Sequence, residues 1–342
     1  MSGPQIFVFG TATHDGLVTL IRYSTSSRSW THLAQIPTPT VRGFAAVAAL
    51  GIGSYCFRSL FVGGANLCGP LRSDSELVIT AMRQVRALVH FPPGLLPLMA
   101  SFLGLDSIFV VGGYSGRPLP TSVCYSLDSG TWRSNVGSMD TARYAAASVA
   151  IGGRMMVFGG FSYRYLATCE SFDLTTNEWS ELPPMSTSRS NASAIVWQGR
   201  AFVFGGHNSS GVLSSAECFD PIANCWSAIA PMCTPRYYAS GVAVPGRGLL
   251  LMGGHDGFSP VVESAELYDP ATNKWTLMPW QLPKAVFDLA AHCIDRMLYV
   301  LGGCTSDGTR SCECWSMDLD VAIWSPLPPL PTTLAALASA LV

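Results

Sequence analysis

The chain carries little charge for its length of 342 residues. Only 12% of the residues are charged, and 20 basic side chains against 22 acidic ones leave a formal net charge of −2. No run of lysines or arginines stands out, whereas proteins that bind nucleic acid concentrate positive charge on one face. We therefore expect no nucleic-acid partner.

The sequence also lacks the usual signals of secretion and membrane insertion. It starts Met-Ser-Gly-Pro, without the basic region and long apolar core of a signal peptide. The apolar stretch 85–105 is interrupted by His90, Pro92 and Pro93, which argues against a membrane span. The 11 cysteines are odd in number and lack metal-ligand spacing, as is typical of a reduced protein. We expect a cytoplasmic location, with the nucleus as the alternative, and no membrane contact.

What the chain does contain is a glycine doublet that returns at a nearly constant interval. The first glycines of consecutive doublets lie 46 to 49 residues apart. The doublets are Gly63-Gly64, Gly112-Gly113, Gly159-Gly160, Gly205-Gly206, Gly253-Gly254 and Gly302-Gly303. A fixed period of this length indicates a repeat architecture in which each repeat is one supersecondary unit.

Further markers follow the doublets in constant register. In five repeats a tryptophan falls 20 to 22 residues after the first glycine, with an acidic turn residue before it, and in four of the five a proline stop follows it. These tryptophans are Trp132, Trp179, Trp226, Trp275 and Trp324. Trp30 follows Phe9-Gly10, which matches the doublet but has a single glycine. Because several marker types keep the same register, the repeat extends over essentially the whole chain.

The stretches between these markers are apolar and too short for helices. Around Gly159 they are 145–151, 154–158, 167–173 and 178–182. Runs of this length that are rich in Val, Phe, Ala and Tyr and bounded by turn residues indicate strands. Four strands per repeat predict a propeller blade, with the tryptophan filling the wedge between neighbouring blades.

The order of Arg, apolar strand, Gly-Gly, Asp-Pro turn, Trp and Leu-Pro resembles the kelch repeat. Residues 216–221 and 263–270 are most similar to repeats of BTB-kelch ubiquitin-ligase adaptors, although no BTB or BACK segment is recognisable. The resemblance implies an all-β fold: a single domain, 1–342, forming a seven-bladed kelch β-propeller of four-stranded antiparallel blades. Residues 1–40 and 332–342 are expected to share blade 1, so that the C-terminal strand closes the ring.

Blade 2, at about 41–93, is expected to be degenerate. Val85 occupies the position of the tryptophan, and no Tyr-Asp-Pro turn precedes it. The spacing still holds, because Phe91-Pro92-Pro93 supplies the proline stop. The alternative is a six-bladed ring in which 65–105 is degenerate and lies outside the ring.

The resemblance also implies where a partner would bind. In kelch propellers that bind peptides, the residues after each Gly-Gly and the residues that open each inner strand surround one mouth of the channel. The residues after each Gly-Gly are Ala65, Tyr114, Phe161, His207, His255 and Cys304. The residues that open the inner strands are Arg143, Tyr144, Arg189, Ser190, Asn191, Arg236, Tyr237, Tyr238, Phe287 and Asp288. Three arginines on one rim would favour a partner with carboxylates, although repeat arginines also suit hydrogen bonds between blades. The segment Tyr163-Arg164-Tyr165, on the loop after Gly160, is a further candidate because exposed loop tips often determine specificity.

The expected function is a non-enzymatic protein-binding module, in the form of a substrate adaptor or a cytoskeletal scaffold, without cofactor or metal. The alternative is a kelch-propeller enzyme, either a metal-dependent oxidase resembling galactose oxidase or a sugar mutarotase. In an oxidase, His207, His255 and Cys304 would be the candidate ligands. Equivalent positions on neighbouring blades should lie too far apart to share one ion, and no Ser-His-Asp order or phosphate loop stands out.

Overall fold

The protein is described by a computed structural model whose regular elements are β-strands. The described residues are 5–12, 18–36, 46–50, 58–60, 107–114, 117–126, 131–133, 137–174, 176–257, 261–331 and 334–341. Within these ranges there is no helix that could cross a membrane.

Four consecutive repeats each form a four-stranded antiparallel sheet, and these are sheets 3 to 6 below. Sheet 3 comprises Ala147–Ile151, Arg154–Phe158, Cys169–Asp173 and Glu178–Leu182, and sheet 4 comprises Ser193–Trp197, Arg200–Phe204, Ala216–Asp220 and Cys225–Ile229. Sheet 5 comprises Ser240–Val244, Gly248–Met252, Ser264–Asp269 and Lys274–Gln281, and sheet 6 comprises Ala290–Ile294, Met297–Leu301, Cys314–Asp318 and Ile323–Leu327. A small ribbon of His207–Asn208 and Gly211–Val212 extends from sheet 4. The predicted four-stranded antiparallel blade is confirmed in all four repeats.

Two further sheets contain the remaining described strands. Sheet 1 comprises Leu334–Leu341, Gln5–Ala12, Val18–Ser24 and Ser29–Ile36, in that spatial order. Sheet 2 comprises Arg58–Leu60, Ala46–Leu50, Ser107–Val111, Ser122–Ser126 and Thr131–Arg133. The first strand of each sheet from 3 to 6 lies against the first strand of the next, which gives the radial arrangement of a propeller.

The closing strand is where the sequence predicts it. Leu334–Leu341 pairs antiparallel with Gln5–Ala12, and Val8 lies opposite Ser339. The Trp30 indole of sheet 1 also donates a hydrogen bond to the carbonyl of Pro328, just after sheet 6, at 3.1 Å. The two ends of the described chain therefore share one sheet.

The predicted count of seven blades is not confirmed. The described residues form six large sheets, and Ala46–Leu50 pairs with Ser107–Val111, so that it completes sheet 2. This pairing is the one that the six-bladed alternative requires. Most of the predicted blade 2 at 41–93 lies outside the described residues, so the number of blades stays a prediction.

The repeat tryptophans of sheets 4, 5 and 6 lie between neighbouring sheets, as predicted. The Trp226 indole of sheet 4 meets the Phe158 ring of sheet 3 edge-on, with ring centroids 5.2 Å apart. Its Nε1 donates to the carbonyl of Pro183, which follows sheet 3, at 2.8 Å. Trp275 repeats the arrangement one sheet further on, with a 2.8 Å hydrogen bond to Ala230 O. Burying an aromatic side chain of this size stabilises the fold by about 2–3 kcal/mol.

The glycine doublets are required because the second strand ends in a crowded turn. Gly205 has a φ of +60°, and a Cβ there would come within 2.3 Å of the Arg236 carbonyl oxygen. Only glycine adopts such a left-handed conformation without a side chain to collide. The turn brings the following residue, His207, to one end of the propeller.

Candidate functional site

The two sets of residues predicted to surround a mouth do meet at one end of the propeller. The residue after a Gly-Gly forms an antiparallel bridge with the residue that follows the repeat arginine position in the same sheet. These bridges are Tyr144 with Phe161, Ser190 with His207, Tyr237 with His255 and Phe287 with Cys304. Between neighbouring sheets, the Gly160 N–H donates to Arg189 O and the Gly206 N–H to Arg236 O, both at 2.9 Å. Backbone hydrogen bonds thus fix the positions of the side chains at this end.

Eight ring-bearing side chains at this end form a continuous series, here called the aromatic arc, which runs from sheet 2 to sheet 6. Their neighbouring ring centroids lie between 4.9 and 6.2 Å apart. In order along the arc they are Tyr114, Tyr144, Phe161, Tyr165, His207, Tyr237, His255 and Phe287. All are partly exposed, and Tyr114 at one end is 39% exposed. The arc is a preformed apolar surface with polar edges.

The structure therefore brings together six of the predicted residues: Tyr114, Tyr144, Phe161, His207, His255 and Phe287. The other two arc members, Tyr165 and Tyr237, come from the predicted segments 163–165 and 236–238. Tyr165 joins because a backbone bridge pairs it with Phe161, which turns the loop back onto the rim. Tyr237 opens an inner strand directly after Arg236, in the register of Tyr144 after Arg143. That shared register is the reason why the sequence places Tyr237 at the mouth.

Inside the arc lies an inner ring formed by the next residue of each opening segment. The ring consists of Ala145, Asn191, Tyr238 and Asp288, which have left-handed φ values of 51 to 54°. Three of these residues donate their N–H to the carbonyl of the preceding ring member: Asn191 to Ala145 at 2.8 Å, Tyr238 to Asn191 at 3.0 Å and Asp288 to Tyr238 at 3.0 Å. Left-handed conformations of residues other than glycine are uncommon and concentrate at functional sites. Asn191, Tyr238 and Asp288 all belong to the set that the sequence predicts at the mouth.

Two polar groups of the inner ring lie in an environment that alters their chemistry. Burial raises the pKa of Asp288 to about 7, and the Arg310 guanidinium opposes that shift. Burial also raises the pKa of Tyr238, and the Asp288 carboxylate adds to the effect. At neutral pH Tyr238 therefore keeps its phenolic proton, while Asp288 is divided between its acid and its carboxylate.

The predicted arginines are buried and do not line the mouth, so the expectation that they bind a partner is wrong. Arg143, Arg189 and Arg236 are at most 1% exposed. Each binds a buried glutamate on the third strand of its own sheet, and its Nη1 donates to the carbonyl of the first glycine of the doublet. The ion pairs are Arg143–Glu170 at 2.5 Å, Arg189–Glu217 at 2.9 Å and Arg236–Glu266 at 2.5 Å. Because these guanidinium groups are enclosed and paired, they do not offer a partner a cationic rim.

The glutamates also fix the connection from the preceding sheet. Glu217 accepts the Ser186 N–H at 2.7 Å and the Thr187 N–H at 3.2 Å. Glu266 accepts two consecutive N–H groups, of Cys233 and Thr234, in the same way. Each Arg–Glu pair is thus a scaffold element that fastens one sheet to the next.

Sheet 6 shows that the arginine and the glutamate act as a unit. Its equivalent positions hold Val286 and Trp315, so both charged groups are replaced together. Replacing a buried ion pair by apolar groups is tolerated, whereas leaving one charge alone is costly. The Arg–Glu pair is accordingly present as a whole in sheets 3 to 5 and replaced as a whole in sheet 6.

The predicted loop tip is exposed. Tyr163 is 80% exposed, and the turn around it is closed by a hydrogen bond from the Ser162 N–H to the Arg164 carbonyl at 2.9 Å. Tyr165, two residues later, belongs to the arc. The tip therefore projects next to the arc, where it can contact the same partner.

The residues considered for a metal-dependent enzyme do not form a metal site. Within the described ranges, no group of three or more His, Cys, Asp or Glu side chains is placed to hold an ion. His207 and His255 lie on opposite sides of Tyr237, with ring centroids 4.9 and 5.4 Å from it. The His255 Nδ1 accepts a hydrogen bond from the Gly257 N–H at 2.8 Å, and burial lowers the pKa of His207. Nothing in this geometry favours the enzyme alternative.

Comparison with known protein families gives two adjoining matches. A family model described as the KLHDC2/KLHL20/DRC7 Kelch-repeats domain matches residues 99–285. A model of the Kelch motif matches residues 287–331. A comparison with curated proteins gave no match.

Proposed function

Because the chain belongs to the kelch-repeat family, whose propellers are generally protein-interaction modules, we propose that it binds a peptide or loop of a partner protein at the mouth lined by the aromatic arc. The proposal is for a non-enzymatic module. The observation that carries it is the continuity of the arc, which presents eight partly exposed rings in van der Waals range of one another across sheets 2 to 6.

The aromatic arc is preorganised for binding. Aromatic side chains offer large contact area with few rotatable bonds, so little conformational entropy is lost when a partner docks. In the arc each ring packs against its neighbours, and the backbone bridges below the rings fix their positions. A peptide laid across the arc would bury apolar side chains against the ring faces and meet Tyr hydroxyl and His ring nitrogens at their edges.

Within this proposal the protein serves as a substrate-recognition subunit or as a scaffold, in the cytoplasm or the nucleus. We also retain a single propeller domain over 1–342 as a proposal. The arc and the exposed tip at Tyr163 support partner recognition in either role, since both need one specific surface. The identity of the captured partner decides between the two roles.

The test compares partner capture by the full-length protein and two variants. Tyr237→Ala removes the ring that contacts His207, Tyr238 and His255. Ile222→Ala is the matched control, because Ile222 is 97% exposed and lies in the turn between the third and fourth strands of sheet 4, at the opposite end from the mouth. Captured proteins are quantified by mass spectrometry, and near-ultraviolet circular dichroism checks that both variants fold.

We expect specific partners that the wild type and Ile222→Ala capture equally and that Tyr237→Ala loses. Partners retained in full by a folded Tyr237→Ala protein would show that binding does not use the arc. That result would overturn the proposed function at this site.

A further inference from the structure

Two acceptor oxygens of the inner ring have no hydrogen-bond donor in the described part of the chain. They are the Oδ1 atoms of Asn191 and Asp288, and both are buried. Asn191 as a whole is only 5% exposed. Tyr238 stands between the two residues in the ring, joined to each by a 3.0 Å backbone hydrogen bond. Since buried polar atoms nearly always have a partner, either in the protein or in ordered water, these oxygens can accept a hydrogen bond from a donor group of a bound molecule.

The charges around these oxygens favour a cation. The three arginines expected at the mouth form buried ion pairs with glutamates, so they add no positive charge to its surface. Asp288 is itself acidic, and Asp256 lies near enough to add to the effect of burial in raising the pKa of Tyr237. Arg310 is the positive group near Asp288, but among the described residues no ion pair joins the two. A cationic group would therefore find a carboxylate with a free acceptor oxygen.

The aromatic rings supply the other half of a cation site. The Tyr238 ring lies 5.1 Å from the Tyr237 ring and 5.8 Å from the Phe287 ring. Aromatic faces attract the head groups of lysine and arginine, and more so where water is excluded. A carboxylate beside such faces adds a charge-assisted hydrogen bond.

We propose that the mouth takes a lysine or arginine side chain of the partner, with its head group held by Asn191, Asp288 and the ring of Tyr238. This inference rests on the proposed function, because it names the chemistry of the partner at that same mouth. It replaces the expectation of an acidic partner, whose basis was an open rim of arginines.

The site should bind its cation more tightly at higher pH. Burial raises the pKa of Asp288 to about 7, and only the ionised carboxylate attracts a cation. If binding requires that form, affinity rises about tenfold between pH 6 and pH 8. Among the described residues, the other titratable groups near Asp288 are Arg310, Tyr238 and Cys304. Burial raises the pKa of Tyr238 and of Cys304, so both stay neutral over this pH range.

The first experiment selects peptides from a random library displayed on phage, with the full-length protein as bait. We expect selected peptides to share a Lys or Arg at one fixed position and to lose binding to Tyr237→Ala. Peptides that depend on Tyr237 but share an acidic or apolar residue instead would overturn the cation site while leaving the proposed function intact. Selected peptides that bind Tyr237→Ala as well as wild type would contradict the proposed function itself.

The second experiment measures affinity for the best selected peptide by fluorescence polarisation at pH 6 and pH 8. Asp288→Asn should weaken binding about tenfold at pH 8 and remove the pH dependence. The variant should fold, because Asn191 occupies the equivalent left-handed position of the ring. Asp295→Asn is the control: it makes the same charge change in an exposed turn at the other end of sheet 6, and we expect no effect. Equal affinities of Asp288→Asn and wild type would overturn the inference.

Discussion

Glu266→Gln should lower the melting temperature of the protein substantially, because Glu266 is a fully buried carboxylate with three donors. It accepts hydrogen bonds from Arg236 Nη2 at 2.5 Å, the Cys233 N–H at 2.7 Å and the Thr234 N–H at 3.1 Å. A glutamine has one acceptor oxygen, so its NH2 group would face a guanidinium or a backbone N–H, and the Arg236 charge would be left alone. Breaking a buried ion pair in this way costs about 3–5 kcal/mol.

That cost converts to a measurable shift. At about 2 °C per kcal/mol for a large domain, we expect a decrease of roughly 6–10 °C in melting temperature. Differential scanning calorimetry at one fixed scan rate is the appropriate assay, because large proteins often unfold irreversibly. Glu263→Gln is the matched control, since Glu263 is exposed just before the same strand, Ser264–Asp269.

A double variant separates the loss of the pair from the loss of side-chain packing. Glu266→Leu combined with Arg236→Met removes both charges, as sheet 6 does with Val286 and Trp315. It should be more stable than Glu266→Leu alone, because no unpaired guanidinium remains buried. A Glu266→Gln protein that melts within a degree of the Glu263→Gln control would refute the assignment of Arg236 to the scaffold.

Two further predictions concern acid stability and ring closure. Burial lowers the pKa of His292 to about 3. The neutral form therefore contributes stability that is present above about pH 6.5 and is lost as the pH falls toward 3. Between pH 7 and pH 5 the free energy of unfolding should fall by about 2 kcal/mol. His292→Val copies Val242 of the neighbouring inner strand. It should reduce the loss of unfolding free energy between pH 7 and pH 5, measured by denaturant unfolding, by that amount. The same pH dependence in the wild type and the variant would refute the account. Deleting 334–342 removes the ladder partner of Gln5–Ala12 and should speed limited proteolysis at least about tenfold. Unchanged proteolysis would mean that this strand is dispensable.

Much of the fold was predictable because the repeat marks its own turns. Doublet and tryptophan positions located the strands Arg154–Phe158 and Glu178–Leu182 to the residue. The pairing of Leu334–Leu341 with Gln5–Ala12 was also predictable, because each segment is part of an incomplete repeat and the two together complete one blade. Between residues 61 and 106 the repeat markers are incomplete, so the sequence is compatible with either six or seven blades.

The site was predictable in position but not in side-chain direction. Spacing places Arg189 next to the mouth, yet it cannot show that the guanidinium turns inward to Glu217, 28 residues further along the chain. A signal was present, because an arginine and a glutamate recur together in sheets 3 to 5 and are both absent at Val286 and Trp315. Joint replacement of that kind indicates contact between the two side chains rather than contact of each with a ligand.

The shared first sheet has a consequence for the time course of synthesis. Val8 must wait for Ser339, about 330 residues later in the chain, before its sheet can be completed. At about 5–20 residues per second, a ribosome needs roughly 15–65 s to deliver that partner. During this interval the strand Gln5–Ala12 has an open edge, which is a ready template for pairing with another nascent chain. The seam of the ring is therefore the place where a chaperone would shield the emerging polypeptide.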